Sequence, residues 1–408
     1  MLKFELQKLI RKRSVQLIGL AAVVITAILS LMPVLSAQYY TQEGACTGLQ
    51  AIQTEKRIIQ DHRAELTDDF VRQKIAEIKE AYSIPENTVQ DGQNVYLIQD
   101  SYWNLVAPCE DLLNLIAKTY APSGMSVDYS YLDTLDPDTL VPFYEQIQNR
   151  RSELLSQPSR KFSDDEKAFW SSKAESIREP YEYSYAGGWK ALSSGMELMI
   201  IPIVLICLLL ADIYSREYRT GMDSLLLSSK YGRTKLVRAK SGAAFILATG
   251  LFLICLLVCT GITLGTYGID GWNLPIQIAS TMVPYPMNFL QSALISVMLC
   301  LFVLWGMTAL SLYLSAKLGS AYSSAVIVIL FSLIPVFMIP SSAAGLFNKI
   351  LYLLPYQAVV PDFGKYLCYQ IGPIVLDGIW MKSIIYLGMT LLFIPASGAA
   401  FRHHEPGS

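Results

Sequence analysis

The sequence predicts an all-α polytopic membrane protein with six transmembrane helices, an N-terminal amphipathic interfacial helix and a mainly helical extracellular domain. Three observations predict it. Of 408 residues, 52% are hydrophobic and only 16% charged, whereas soluble domains carry about a quarter charged residues. Six apolar stretches approach the roughly 20 residues that a helix needs to cross a hydrocarbon core about 30 Å thick. The charge is also partitioned: residues 38–190 hold 25 acidic and 15 basic side chains, and the rest of the chain holds 9 and 17. A polar acidic block therefore interrupts an apolar, basic-edged frame.

The same numbers exclude other classes. A formal net charge of −2 supplies no global basic field for a polyanion, so no nucleic-acid partner is expected. The 3 histidines and 7 cysteines form no CxxC, HExxH or GxSxG pattern, and no metal site is expected. GxxxxGK[ST] is absent as well. The chain is expected to be no enzyme and to bind no cofactor.

The elements follow in order. Residues 1–13 place Leu2, Leu6, Leu9 and Ile10 on one helical face, with Phe4 near it and Lys and Arg elsewhere. Such a helix lies in the headgroup plane. Span 1 covers 14–36, too deep and too long for a cleaved signal. The extracellular helical domain covers 37–192. Its first helix is read from Ile59, Leu66, Phe70, Ile75, Ile78 and Tyr82, and its second from Ile98 through Cys109 to Tyr120, kinked by Pro108. A third begins near Asp138 and carries Phe143, Ile147 and Leu154. A fourth opens on the capping box Ser163-Asp164-Asp165-Glu166. Span 2 covers 193–213 and a cytoplasmic region 214–240. Spans 3 to 5 lie within 241–340, with Gly261 and Gly265 forming GxxxG in span 3. Segment 341–382 is read as extracellular or re-entrant, its apolar pieces 350–354 and 371–376 being too short to cross. Span 6 covers 383–401 and a cytoplasmic tail 402–408.

Lys and Arg orient these spans. The N-terminus, the loop after span 2, Lys317 and Arg402 supply fourteen cations on one side, and Lys349, Lys365 and Lys382 are the three on the other. The positive-inside rule then places both termini in the cytoplasm of a bacterial-type cell membrane and the 38–190 block outside. Cys46 and Cys109 fall in that block and are candidates for a bridge, whose connectivity sequence does not fix. Twelve of the 24 tyrosines lie there too, read first as packing and interfacial anchoring. Glu197, near the outer end of span 2, is a candidate for the translocation path.

The loop between spans 2 and 3 carries the most information. A helix running on from span 2 is broken by Gly221, Met222–Ser228 forms a short helix, and Ser229 and Gly232 turn the chain toward span 3. Leu225, Leu226 and Leu227 have too little chain beneath them to form a core, so they need a membrane surface or a partner. The pattern Glu217, Gly221, Leu225-Leu226-Leu227-Ser228-Ser229, Arg233, Leu236 and Lys240 resembles the coupling region of type-2 ATP-binding-cassette (ABC) exporter permeases. Met222 and Lys230 stand where that family often has Thr and Pro. The resemblance covers roughly residues 1–36 and 190–401. It implies a permease subunit with a large extracellular insert between spans 1 and 2. It also implies two separate cytoplasmic ATPase subunits that carry the ATP and Mg, and a second permease copy or related chain in the same bilayer. Glu217 and Arg219 would orient the loop through ion pairs, Leu225–Leu227 would fill the ATPase cleft, and Arg233 and Lys235 would meet acidic groups or anionic lipid. The expected cargo moves outward and is a peptide antibiotic or a lipophilic compound. The alternatives are an immunity or sensing protein whose extracellular domain captures antimicrobial peptide, and a receptor that transports nothing.

Overall fold

The computed structural model describes residues 1–92, 94–229, 231–341 and 345–404. Among them, five helical runs are long and apolar enough to cross a membrane: Arg13–Ser36, Gly187–Arg219, Gly232–Tyr267, Phe289–Leu318 and Gly378–Arg402. A sixth apolar helix, Ala321–Phe337, has 17 residues. At about 1.5 Å per residue it is about 25 Å long, short of a core about 30 Å thick.

The chain begins with α1 (Leu2–Ile10) and α2 (Arg13–Ser36). The hairpin β1 (Gln38–Thr41) and β2 (Gly44–Thr47) feeds directly into α3 (Gly48–Asp61). Strand β3 (Ala64–Glu65) separates α3 from α4 (Asp68–Ser83), so the single first helix expected across Ile59–Tyr82 is two. Thr67 caps α4 by accepting from the Phe70 N–H, which makes the break a built helix start. A second hairpin, β4 (Thr88–Asp91) and β5 (Asn94–Leu97), leads into α5 (Gln99–Ser101). The helix expected from Ile98 to Tyr120 is broken up: a π turn and a 3-10 turn around Pro108 precede α6 (Glu110–Tyr120). Pro108 has no N–H to donate, so the regular ladder cannot run through it. The third expected helix starts later than Asp138, after Pro142, as α7 (Phe143–Ser156). The capping box is formed, with Ser163 and Glu166 exchanging bonds at the start of α8 (Asp164–Glu175). Strand β6 (Glu182–Tyr183) returns to pair with β3.

The frame resumes with α9 (Gly187–Glu197), α10 (Ile200–Leu210), α11 (Ser215–Arg219), α12 (Met222–Ser228) and α13 (Val237–Tyr267). It continues with α14 (Phe289–Leu318), α15 (Ala321–Phe337), α16 (Leu346–Leu351) and α17 (Pro355–Ala358). A third hairpin, β7 (Cys368–Ile371) and β8 (Ile374–Asp377), opens onto α18 (Gly378–Arg402). The apolar piece 371–376 is therefore strand and turn: Gly372 takes φ +60° in the two-residue connection, a position open to glycine. All three hairpins pair four residues with four. Each is closed one residue further out by a 2.8 Å backbone bond, from Gly48 to Ala37, Ile98 to Asn87 and Gly378 to Leu367.

Helix α10 is apolar on every face, which suits only a fully surrounded position. It packs against α2, α13, α14 and α15, with Ile203, Ile206, Cys207 and Leu210 buried. Helices α14 and α18 lie along each other, and Gly306 admits the Tyr386 backbone, whose carbonyl a Cβ there would approach to 2.9 Å. A Cβ at Gly261 or Gly265 would meet nothing within 4 Å, so among the described residues the GxxxG pattern receives no close helix contact.

In the insert, Leu66, Val71, Ile75, Leu113, Ile116, Phe143, Ile147 and Trp170 are buried in a core that continues into the frame. Ion pairs tie it to the frame: Lys56 to Asp270 at 2.5 Å, Lys173 to Asp377 at 2.5 Å and Lys349 to Glu166 at 3.2 Å.

Candidate functional site at the α11–α13 turn

The region that the sequence marks as a coupling loop is built on a buried charge cluster. Lys240, one turn into α13, is 3% exposed and donates to Glu217 of α11 at 2.7 Å and to Glu5 of α1 at 3.2 Å. Lys8 reaches the same Glu217 oxygen at 2.8 Å. Two cations and two carboxylates thus share one site at the junction of three helices. Such a cluster is stable only when each charge keeps its partners, so it fixes the relative placement of those helices. A second cluster lies beside it: Asp212 accepts from Lys12 and pairs with Arg219 at 3.3 Å.

Between α10 and α11 the chain turns and frees backbone donors. Ser315 of α14 satisfies them, its Oγ accepting from the N–H groups of Tyr214 at 3.1 Å and Ser215 at 3.2 Å. Gly221 then takes φ +65° and reverses the chain into α12, a conformation that costs glycine little. The turn after α12 is equally tight. A Cβ on Gly232 would lie 1.6 Å from the Leu226 carbonyl oxygen, so only glycine fits. Arg233 donates its Nε to the Leu227 carbonyl at 3.2 Å, capping the end of α12. The next five residues, Gly232–Leu236, form a π turn that runs without interruption into α13.

The three leucines separate. Leu225 is 64% exposed, Leu226 half-buried, and Leu227 only 6% exposed and part of the chain's own core. The outward apolar surface is therefore Leu225 with Met222, 43% exposed, rather than the whole triplet. Of the cations, Arg219 pairs with Asp212, Arg233 caps α12, and the Lys235 ammonium sits 4.4 Å from the Tyr231 ring centroid. Lys230 lies outside the described residues. The C-terminal end folds back onto the same region: His404 stacks on Tyr218 with centroids 3.8 Å apart and lies 3.4 Å from the Asp223 carboxylate.

Helix α1 is not simply laid on lipid. Glu5 is buried against α13, Leu6 and Leu9 are half-buried against the core, and Leu2, Phe4 and Ile10 stay exposed. Sequence reasoning missed Glu5, Lys8, Lys12, Asp212 and Lys240 as one unit. The signal was there: an acid on an otherwise cationic helix and a lysine inside an apolar one each need a partner.

The remaining candidates lie elsewhere. Glu197 is exposed at the end of α9, in the field of Asp362 and Lys365 and far along the chain from the charge cluster. Cys46 and Cys109 stand as separate thiols, Cys46 half-buried on β2 and Cys109 buried, its thiol donating to the Leu105 carbonyl at 3.4 Å. Among the described residues no group of three or more His, Cys, Asp and Glu side chains is placed to hold a metal ion. The arrangement joins two helical runs long and apolar enough to cross a membrane to one short helix between them.

Nothing among curated proteins or solved structures matches the chain. The family pattern described as ABC-2 family transporter protein matches residues 16–398, nearly the full length and including both α11–α13 and the insert. The chain belongs to the ABC-2 family of membrane transporter proteins.

Proposed function

We propose that this chain is the permease subunit of an ABC exporter, driven by separate cytoplasmic ATPase subunits that dock on α12. One observation carries the reading. Helix α12 presents Leu225 and Met222 outward while α11 at one end and the π turn at the other run into α10 and α13. A push on α12 is delivered to two spans together, because the Lys240–Glu217 pair at 2.7 Å ties their bases to each other. Force from an ATPase needs such a stiff lever rather than a catalytic group.

The cations of α1, α11–α13, Lys317 and Arg402 support a cytoplasmic position for this end and an extracellular one for the insert. On this reading α15 is the sixth span. The functional unit pairs this chain with a second copy or a related one, and cargo leaves outward.

The test is affinity purification of the full chain from its native membrane with mass spectrometry. An ABC ATPase is expected to co-purify with the wild type and to be lost with Leu225→Asp, while the variant's unfolding temperature stays unchanged. Full ATPase retention by the variant would overturn docking through α12. Recovery of a kinase and no ATPase would overturn the transport reading in favour of a receptor. A cysteine placed at Ser224 should react with an impermeant maleimide only in inside-out vesicles.

A further inference from the structure

A cleft lies in the insert between α7 and α8, closed at its base by Tyr366 from the stretch between α17 and β7. Its volume is about 280 Å³, at the lower edge of small-molecule sites and enough for one molecule the size of an amino acid. Trp170, Tyr366 and Arg151 line the floor, all buried. Glu175 and Glu179 line the rim, both exposed.

Arg151 is the unusual member. It is 5% exposed, and its Nη2 donates to the Thr281 carbonyl at 2.9 Å. Its Nε makes no hydrogen bond, and among the described residues no carboxylate comes within 4 Å of the guanidinium. A guanidinium removed from water ordinarily meets a carboxylate or phosphate with its planar fork. The phenols beside it do not supply that charge. Burial pushes Tyr366 up to about 12 and also raises Tyr181, so both stay neutral at physiological pH. The floor of the cleft therefore offers a cation held by the Thr281 carbonyl, by the neutral phenols of Tyr181 and Tyr366 and by the field of Glu179, but in no direct ion pair, and the rim offers two carboxylates. A dianion would meet repulsion from Glu175 and Glu179. A molecule carrying one negative and one positive charge complements both levels.

We propose that this cleft binds a zwitterion of amino-acid size, its carboxylate on Arg151, its apolar part against Trp170 and Tyr366, and its ammonium toward Glu175 and Glu179. A free amino acid carries both charges on one residue, and a short cationic peptide supplies the same pair as its C-terminal carboxylate and a side-chain or N-terminal ammonium. The site joins three parts of the chain: α7 and α8 of the insert, Thr281 before α14, and Tyr366 before α18. An occupant would hold them together. The site stands apart from α12, and its test needs no ATPase.

The experiment is calorimetric titration of the full-length chain in lipid nanodiscs with four probes: L-leucine, L-leucinamide, N-acetyl-L-leucine and the tripeptide Lys-Gly-Leu. Leucine or the tripeptide is expected to bind, and whichever binds tighter identifies the source. Leucinamide, lacking the carboxylate, should bind about tenfold or more weaker, the size of one lost charge-assisted contact. Arg151→Met should abolish binding. Because that variant also loses its bond to Thr281, Glu179→Gln at the exposed rim provides the second arm. It should weaken leucine or the tripeptide several-fold and leave the weaker binding of N-acetyl-L-leucine unchanged. Absence of binding by every probe, equal binding of leucine and leucinamide, or a Glu179→Gln variant with wild-type affinities would each overturn the proposal.

Discussion

Lys240 and Glu217, 23 residues apart in sequence, meet at 2.7 Å beneath the short helix α12. The loop between them is thereby closed at its base, and Glu5 and Lys8 extend the closure to the N-terminal helix. The cluster turns a connection between two spans into a lever with three helices at its root.

Removing the central cation should be costly. Lys240→Met leaves Glu217 and Glu5 buried without it, and breaking a buried pair costs about 3–5 kcal/mol. Thermal unfolding of the purified chain should show a large drop for Lys240→Met. The double variant with Glu217→Gln should recover part of that loss, since Glu217, left with Lys8 alone, no longer carries a buried charge. Equal stability of the single and double variants would mean the pair is not coupled.

Glycines at two positions should behave oppositely on substitution by alanine. At Gly232 a Cβ meets the Leu226 carbonyl at 1.6 Å and the Ser229 Oγ at 2.6 Å, so α12 must move. Gly232→Ala is expected to disturb hydrogen exchange across Met222–Ser228 and to impair transport with the spans intact. At Gly250, inside α13, nothing lies within 4 Å. Gly250→Ala should be neutral or stabilising by up to about 1 kcal/mol, the difference in helix preference.

The leucines of α12 should divide by burial. Leu227→Ala removes a side chain from the chain's own core and is expected to cost about 2–4 kcal/mol. Leu225→Ala removes an exposed one and should stay within about 0.5 kcal/mol. Denaturation midpoints of the two variants check this, and equal losses would contradict the placement of Leu227.

Acid should loosen the insert at Asp270. The hydrogen bond from Lys56 holds this carboxyl below its usual value, outweighing the effect of burial. The folded value is the lower one, so the contribution is whole above the unfolded value of about 3.9 and fades as pH falls through the lowered one. Protection of the Gly48–Asp61 amides, taken relative to their intrinsic exchange rate at each pH, is therefore expected to be alike at pH 7 and pH 5 and lower near pH 3. Asp270→Asn should abolish that pH step.

The thiols give a fourth contrast. Cys46 is half-buried, and Cys109 is buried, with its thiol pushed up by that burial. Alkylation of the native, unreduced protein should modify Cys46 and spare Cys109 until the insert unfolds. A mass showing the two joined would contradict their separate positions.

Sequence alone determined the membrane class, the run of apolar helices and the position of α12, because each rests on local rules. Twenty apolar residues cross a bilayer, Gly221 and Gly232 reverse the chain, and Ser163 with Glu166 starts a helix. The misses share a different cause. The hairpins at 38–47, 88–97 and 368–377 have four-residue strands, too short for alternation to stand out from a helical pattern. The break at Thr67 was hidden because apolar residues on both sides still fell at helical steps, and Pro108, expected to kink one helix, instead interrupts it. The charge cluster was legible only as charges in need of partners, not as which partners they meet. Glu5, Glu217 and Lys240 each look like a solvated charge at a membrane edge, and only folding brings them together out of water. Which leucine faces out was likewise settled by tertiary packing, since α12 buries the side that meets α11, the π turn and the core. Local geometry is written in neighbouring residues; pairing of distant charges and the choice of an exposed face depend on what the rest of the chain places opposite them.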